Sequence, residues 1–133
     1  MLSHPETNKW EKKLKKLFDE IDDYLESTYG GMYPLHPSRA KRGTTSNKEH
    51  DGLFNVGASF STGLGSEFGP GYVIEIRLVT LSHVPGDLRE EIEEEVVRLI
   101  NQKLPLYFPG KSLTVVRDGN VYKIHGDLSL GNL

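Results

Sequence analysis

Apolar residues in this chain recur first with a helical spacing and then with a strand spacing, and both patterns then repeat in the same order. This alternation constrains the fold more than any other feature, because an amphipathic helix and a half-buried strand each bury one face. From residue 6 to residue 29 the spacing predicts a helix, which Gly30 and Gly31 are expected to end in the left-handed conformation. A second helix is predicted to begin near Asp87, a good N-cap, and to stop at Pro105.

Period-two alternation follows each helix and predicts two pairs of strands. The first pair begins near Phe54 and Tyr72, and the second pair flanks Asp118-Gly119, which we expect to form a tight hairpin turn. The order α-β-β-α-β-β predicts an α+β fold. We expect a two-layer sandwich, in which a four-stranded, mainly antiparallel sheet carries both helices on one face.

The length of 133 residues suits a single domain over residues 1–133, with an irregular basic connector at residues 30–51. The hydrophobic content of 36% is ordinary for a soluble protein, and no apolar run is long enough to cross a membrane. The first residues lack the pattern of a secretory signal, so we expect a cytoplasmic protein. The absence of cysteine excludes disulfides and cysteine-ligated metals, and we expect neither a metal nor a cofactor.

The connector carries most of the functional prediction. Residues 27–48 hold four basic residues and no acid, whereas the rest of the chain has a net charge of −7. Such a contrast concentrates anions, and guanidinium groups, hydroxyls and backbone N–H groups suit a phosphate or carboxylate. A solvated, disordered connector is the alternative. The candidate ligand-binding residues here are Arg39, Lys41, Arg42, Thr44, Thr45 and Asn47.

A second irregular segment, residues 62–71, is longer than a hairpin between the first two strands requires. Its glycines could arrange successive N–H groups as an anion-binding nest, so Gly63, Gly65 and Ser66 are added to the candidate site. We predict that this glycine loop converges with the connector on one anion site. A wide, mobile turn is the alternative.

The sheet face opposite the helices is predicted to be polar, and Arg77 on this face completes the candidate ligand-binding set. This face is either solvated or binds a ligand or a second copy of the chain. Its predicted residues are Asn55, Ser59, Ser61, Glu75, Arg77, Lys123, His125 and Asp127.

These features favour a non-catalytic binding or interaction domain that recognises an anionic small molecule or an acidic segment. One alternative is a small enzyme that uses His83, His125 or Asp51, although no motif shows that these groups converge. The chain could also be an RNA-binding protein or a purely structural oligomer. RNA binding is disfavoured, because the predicted open face has no aromatic residues and the pI is near 5.9.

The charge order of the first helix predicts a homodimer, through this helix or through the open sheet face. Its lysines, at positions 9, 12, 13, 15 and 16, precede the acids at positions 19, 20, 22, 23 and 26, which opposes the helix dipole. An antiparallel copy would set basic half against acidic half, with Trp10 as an apolar contact. The alternative is pairing within the helix, Lys15 with Asp19 and Lys16 with Glu20.

Overall fold

The computed structural model describes residues 5–126 and has the predicted element order. The elements are helix α1 (Pro5–Tyr29), a 3-10 helix (Lys48–His50), strands β1 (Phe54–Ser61) and β2 (Gly71–Leu78), helix α2 (Gly86–Tyr107), and strands β3 (Leu113–Asp118) and β4 (Val121–Gly126). The α+β class and the order α-β-β-α-β-β are confirmed. Neither α-helix is long and apolar enough to serve as a membrane span within residues 5–126.

The four strands form one sheet in the order β1-β2-β4-β3, and each neighbouring pair is antiparallel. The β1–β2 pairing runs from Phe54 opposite Leu78 to Ser61 opposite Gly71. The pairing of β2 with β4 is shorter and covers only Tyr72–Ile74 on β2. Because α2 carries the chain from β2 past β4 to the far edge, β1 and β3 are the two edge strands.

Both helices pack their apolar stripes on the same face of the sheet. In β1 and β2 this face carries the even-numbered residues, as the alternation predicted, and the strand ends are more open. Burying such side chains contributes about 1.5–3 kcal/mol each. The core consists of Trp10, Leu14, Leu17, Phe18, Ile21, Leu25, Leu53, Phe54, Val56, Tyr72, Ile74, Ile92, Val96, Leu99, Ile100, Leu104, Phe108 and Ile124.

The end of α1 lies where the glycines predicted it, but for a different reason. Gly30 does not have a positive φ, so the left-handed ending was wrong. Its N–H still donates to Glu26 O at 2.9 Å. A Cβ at this position would collide with the same carbonyl oxygen, so glycine is required here by a close approach.

Helix α2 starts near Asp87 as predicted, but the cap at Asp87 and the stop at Pro105 were wrong. The helix starts at Gly86 after Pro85, and Asp87 lies in its first turn instead of capping it. Pro105 lies inside the helix, which continues to Tyr107. Proline has a helical φ and removes only one hydrogen bond here, while the buried Leu104 and Phe108 hold the last turn in place.

The β3–β4 hairpin is shifted by one residue from the predicted turn. Asp118 belongs to β3 and lies opposite Val121, so the turn residues are Gly119 and Asn120. Gly119 has a φ of 64°, and Asn120 does not have a positive φ. A glycine first in a two-residue loop is typical of a type II′ turn.

Side chains occupy part of each sheet edge. On β3, Asn101 Oδ1 accepts from Val115 N–H at 3.0 Å. On β1, Phe54 N–H donates to Glu26 Oε1 at 2.8 Å, and Phe54 O accepts from Arg39 Nη2 at 2.9 Å. Both backbone groups of Phe54 therefore point away from β2.

Candidate functional site

Arg39 fixes the connector to the start of β1 through backbone carbonyl groups. Its Nε donates to Gly52 O at 2.9 Å, and its Nη2 lies 2.6 Å from Glu49 O, 3.1 Å from Asp51 O and 2.9 Å from Phe54 O. A buried carbonyl without a donor costs about 1–3 kcal/mol, so this fork stabilises the connector strongly. The guanidinium is thus committed to four carbonyls of its own chain.

The segment that follows Arg39 surrounds the buried carboxylate of Asp51. Gly43 N–H and Thr45 N–H each donate to Asp51 Oδ2 at 3.0 Å, and the Thr45 hydroxyl lies 3.2 Å from the same oxygen. Arg42 Nη1 lies 3.3 Å from Asp51 Oδ1. Burial opposes ionisation, but the donors from Thr45 and Gly43 and the charge of Arg42 hold the pKa of Asp51 below its usual range. These donors therefore bind the Asp51 carboxylate of the same chain, and not an external anion.

Arg42 also binds two acids of α1. Its Nη1 lies 2.7 Å from Asp22 Oδ1, in an ion pair that lacks hydrogen-bond geometry, and its Nη2 donates to Asp23 Oδ1 at 2.6 Å. Asp22 is 1% exposed. Burial, together with the charges of Glu26 and Asp23, outweighs Arg42 and raises the pKa of Asp22 to about 7.

The other predicted connector residues have different surroundings. Lys41 is exposed, and no described residue pairs with its ammonium group. The Thr44 hydroxyl donates to Lys41 O. Asn47 caps the 3-10 helix by accepting from Glu49 N–H at 3.1 Å, and it also accepts from Lys15 Nζ at 3.0 Å. Thr44 and Asn47 therefore contribute to the folding of the connector.

The glycine loop folds over one side of the predicted open face. It covers Lys123, which is 2% exposed although it points away from the helices. Lys123 Nζ lies 2.6 Å from Asp118 Oδ2, 2.7 Å from Gly69 O and 3.2 Å from Ser66 Oγ. The Ser66 hydroxyl also donates to Asp118. Phe68 packs its ring edgewise on His125, with ring centroids 5.5 Å apart.

The predicted nest is used inside the glycine loop. Gly63 N–H donates to Ser61 Oγ at 3.2 Å, and Ser66 N–H donates to Gly63 O at 2.8 Å. Gly63 and Gly65 have φ values of 74° and 78°. Within residues 5–126, no hydrogen bond, ion pair or aromatic contact joins this loop to the connector, so the structure does not bring the two segments together.

The rest of the open face lies on β1 and β2. Arg77 and Glu75 are exposed there and form no ion pair with a described residue. Asn55 lies opposite Arg77, and Gly57 lies opposite Glu75. The glycine loop covers Lys123 and contacts His125, whereas Arg77 and Glu75 stay exposed. Asp127, which was predicted on the same face, lies outside the described residues.

The predicted acid–base groups do not form a cluster. His83 is exposed before α2, whereas Asp51 is held in the connector. His125 Nδ1 is buried and has no hydrogen-bond partner within residues 5–126. Among the residues that the structure describes, no group of three or more histidine or acidic side chains is arranged to hold a metal ion.

The burial of Lys123 under the glycine loop was not predicted from the sequence. Period-two alternation placed Lys123 on the outer face but gave no sign that the glycine loop would bury it. The signal available in the sequence was the excess length of the loop, because a long β1–β2 connection can fold back over the sheet. Its ammonium group, paired with Asp118, is a donor to the loop.

A cleft of about 400 Å³ lies between the first half of α1 and edge strand β1. Lys15 lies in its wall and binds Asp19 Oδ1 at 2.8 Å. The Phe60 side chain is 56% exposed, and its ring packs edgewise on Tyr72 with centroids 5.6 Å apart. The lining of the cleft includes Glu11, Lys15, Glu49, Ala58, Phe60 and Tyr72.

The two halves of α1 differ in how their charges are compensated. Four acids of the acidic half form ion pairs within the chain, and Glu26 accepts from Phe54 N–H instead. The ion pairs are Asp19–Lys15, Glu20–Lys103, Asp22–Arg42, Asp23–Arg42 and Asp23–Lys48. In the basic half, Lys12, Lys13 and Lys16 have no acidic partner among the described residues, and Lys13 Nζ lies 5.8 Å from the Phe108 ring centroid.

These ion pairs give another explanation for the charge order that suggested a helix dimer. Acids that were expected to need a second copy already have cationic partners in the connector and α2. Trp10, the expected apolar contact of the dimer, is 2% exposed and packs on Phe108 with ring centroids 4.2 Å apart. Lys15 pairs with Asp19 as expected, whereas Glu20 pairs with Lys103 instead of Lys16. The homodimer stays a prediction.

Comparison with known proteins gives a family. A family profile with the description "Uncharacterised protein" matches residues 5–126. A protein of Borreliella burgdorferi described as "Uncharacterized protein" is 40% identical over 119 residues, which cover 90% of this chain and 93% of that relative. No solved structure matches the chain at a significant level. The chain therefore belongs to this family of uncharacterised proteins.

Proposed function

We propose that this protein is a non-catalytic binding domain for an acidic segment of a partner protein, and that the segment binds the basic half of α1 beside the cleft. The main support for this proposal is that the charges in the two halves of α1 are compensated unequally. Asp19, Glu20, Asp22 and Asp23 have cationic partners within the chain, while Lys12, Lys13 and Lys16 form no ion pair with a described residue.

The arginines of the connector are less suited to the same ligand. Arg39 is used by four carbonyl groups, and Arg42 is shared among Asp22, Asp23 and Asp51. An external anion would have to displace a carboxylate that is already desolvated and hydrogen-bonded. The lysines of α1 require no such displacement.

The position of these lysines adds to the argument. Lys12 and Lys16 are four residues apart on α1, so their like charges repel each other by about 0.2–0.5 kcal/mol. Bound carboxylates would remove this repulsion and would also speed association. The binding should therefore weaken as salt increases, because these side chains are exposed.

The environment of the buried polar groups supports binding over catalysis. Lys123 lies between Asp118 Oδ2 and the carbonyl oxygen of Gly69, an arrangement that fits a role in holding the glycine loop. Asp51 is fixed by four donors. A cytoplasmic location is part of the same proposal.

An NMR titration with hexaglutamate tests the proposed function. At low salt we expect saturable shifts in the amides of residues 9–16, and their loss in a Lys12→Glu/Lys16→Glu variant. The matched control is Lys41→Glu/Arg77→Glu, which makes the same charge change at two exposed cations without described partners. This control should bind like the wild type.

Two outcomes would overturn the proposal. Absence of saturable shifts up to millimolar peptide would remove the acidic-segment ligand. Shifts centred on the connector, abolished by the Lys41→Glu/Arg77→Glu variant and not by the α1 variant, would place the site at the basic connector instead.

A further inference from the structure

The hydrogen bonds of Phe54 determine which backbone groups of β1 face outward. In an antiparallel pair, successive residues alternate between pairing with the neighbouring strand and pointing away from it. Phe54 directs both its N–H and its carbonyl away from β2, while Leu53 O accepts from Val79 N–H at 2.7 Å. The even-numbered residues of β1 therefore present their backbone groups at the free edge.

The connector covers only the first part of this edge. Arg39 and Glu26 occupy the outward groups of Phe54, and Glu49 lies beside Gly57. Beyond that point, no described residue bonds from outside the sheet to the backbone of Ala58 or Phe60. These two residues also line the cleft beside α1. The cleft thus contains unpaired donors and acceptors at strand spacing.

We propose that the acidic segment binds as a short fifth strand, paired with the backbone of Ala58 and Phe60 inside this cleft. The inference rests on the proposed function and adds the conformation of the ligand. An open edge is a ready template for an extended peptide, whose main chain supplies affinity and whose alternate side chains supply specificity. Side chains on the helix side would contact Phe60 and Tyr72, and flanking acids would face Lys12 and Lys16.

The charges select a partner protein over a second copy of the chain. A two-fold axis between two β1 edges would bring two lysine-bearing halves of α1 together, and like charges at close range disfavour such a pairing. The free edge is also short. From Gly57 to Ser61 it spans about 13–16 Å at roughly 3.3 Å per residue, enough for a segment of about five residues.

Amide hydrogen exchange in the wild-type protein tests the inference directly. The probe is the capped peptide Glu-Glu-Thr-Val-Thr-Val-Thr, which joins an acidic end to a strand-forming run. At saturation, exchange of the Ala58 and Phe60 amides should slow by about tenfold or more, because their N–H groups become hydrogen-bonded. The Ser59 amide, which already faces β2, is the internal control and should change little.

An Ala58→Pro variant tests the same point by affinity. Proline is tolerated on edge strands where the N–H faces outward, so the β1–β2 pairing should persist. We expect about tenfold weaker binding of this peptide and unchanged binding of hexaglutamate, whereas Ala58→Ser should bind both peptides like the wild type.

The outcomes separate the two proposals. Peptide-induced shifts in residues 9–16 without slower exchange at Ala58 and Phe60 would overturn strand addition and leave the acidic-segment proposal intact. No binding of either peptide would overturn the proposed function itself. If Ala58→Pro does not fold, the exchange measurement still decides, because it uses only the wild-type chain.

Discussion

Thr45 donates both its backbone N–H and its hydroxyl to the same oxygen of Asp51, at 3.0 and 3.2 Å. With Gly43 and Arg42, these donors form an anion site whose occupant lies six residues further along the chain. The basic connector is therefore a folded cover whose positive charge is used on carboxylates of Asp51 and α1.

Replacing Asp51 with alanine should leave the N–H groups of Gly43 and Thr45 without their acceptor and should remove one of the three carboxylates around Arg42. We expect the free energy of unfolding to fall by about 3–5 kcal/mol, the usual cost of breaking a buried ion pair. Thr45→Ala should cost about 1 kcal/mol, whereas Thr44→Ala, which loses only an exposed bond, should cost about 0.5 kcal/mol or less. Urea denaturation measures all three, and equal losses for the two threonine variants would contradict this role of Asp51.

The vacated site gives a second test. Acetate should stabilise Asp51→Ala in proportion to ln(1 + [L]/Kd) and have little effect on the wild type at matched ionic strength. Equal stabilisation of both proteins would mean that the donors do not form a discrete anion site.

The raised pKa of Asp22 predicts a particular slope of stability with pH. Its folded pKa is about 7, mainly because of burial, whereas an unfolded aspartate titrates near about 4. Between these values the folded state holds a proton that the unfolded state has lost. The stability contribution of Asp22 is therefore complete below about pH 4 and is lost as pH rises to about 7.

Asp22→Asn removes this contribution to the slope and is measured by urea denaturation from pH 4 to pH 8. The variant should gain stability relative to wild type by an amount that grows as pH rises through this window. Partial burial raises the pKa of Asp23, but Lys48 and Arg42 outweigh burial and lower this pKa. The stability contribution of Asp23 should therefore have the opposite pH dependence and be lost as pH falls. A wild-type minus Asp22→Asn difference that is flat with pH would disprove the buried carboxylate effect.

Gly63 and Gly65 form a matched pair for the glycine loop. Both have positive φ, but a Cβ on Gly63 would collide with Gly69 O, whereas a Cβ on Gly65 meets open space. Gly65→Ala should cost about 1 kcal/mol from backbone strain alone. Gly63→Ala should cost more and should expose Lys123, detected by faster amide exchange in β4. Equal effects of the two substitutions would contradict the close packing of this loop.

Lys123 should be more important for stability than its exposed neighbour Arg117. Lys123→Met leaves Asp118 and Gly69 O without their cation, and we expect a loss of about 2–4 kcal/mol. Arg117→Met retains most of the packing on Tyr122, whose ring centroid lies 5.2 Å from the guanidinium, and should cost about 1 kcal/mol or less. Thermal unfolding at neutral pH compares the two variants, and the reverse order would count against a structural role for Lys123.

Periodicity in the sequence was sufficient for the architecture. The spacing that includes Trp10 and Leu25 gave α1, and the even-numbered residues of β1 and β2 gave the core face. Element ends were less predictable, since they depend on contacts made after packing. Pro105 remains helical because Leu104 and Phe108 are buried on either side of it.

The candidate site was less predictable. The sequence shows which groups can bind an anion, but it does not show whether carboxylates of the same chain already occupy them. Arg42 was a reasonable candidate ligand residue until folding placed Asp22, Asp23 and Asp51 around it. Lys123 was assigned to the correct face, but its burial depends on the path of the glycine loop. The cleft beside Ala58 exists because the folded connector covers only the first residues of the β1 edge. No local sequence pattern shows how far this cover extends.

The occupation of the β3 edge by Asn101 limits what strand addition could build. A sheet with two open edges can polymerise, because each added chain offers a new edge to the next. Here the Val115 N–H is already bonded to Asn101 Oδ1, and the connector blocks the first part of β1. The β3 edge would therefore pair poorly with the β1 edge of a second copy, so copies of this chain should not join edge to edge into a continuous filament.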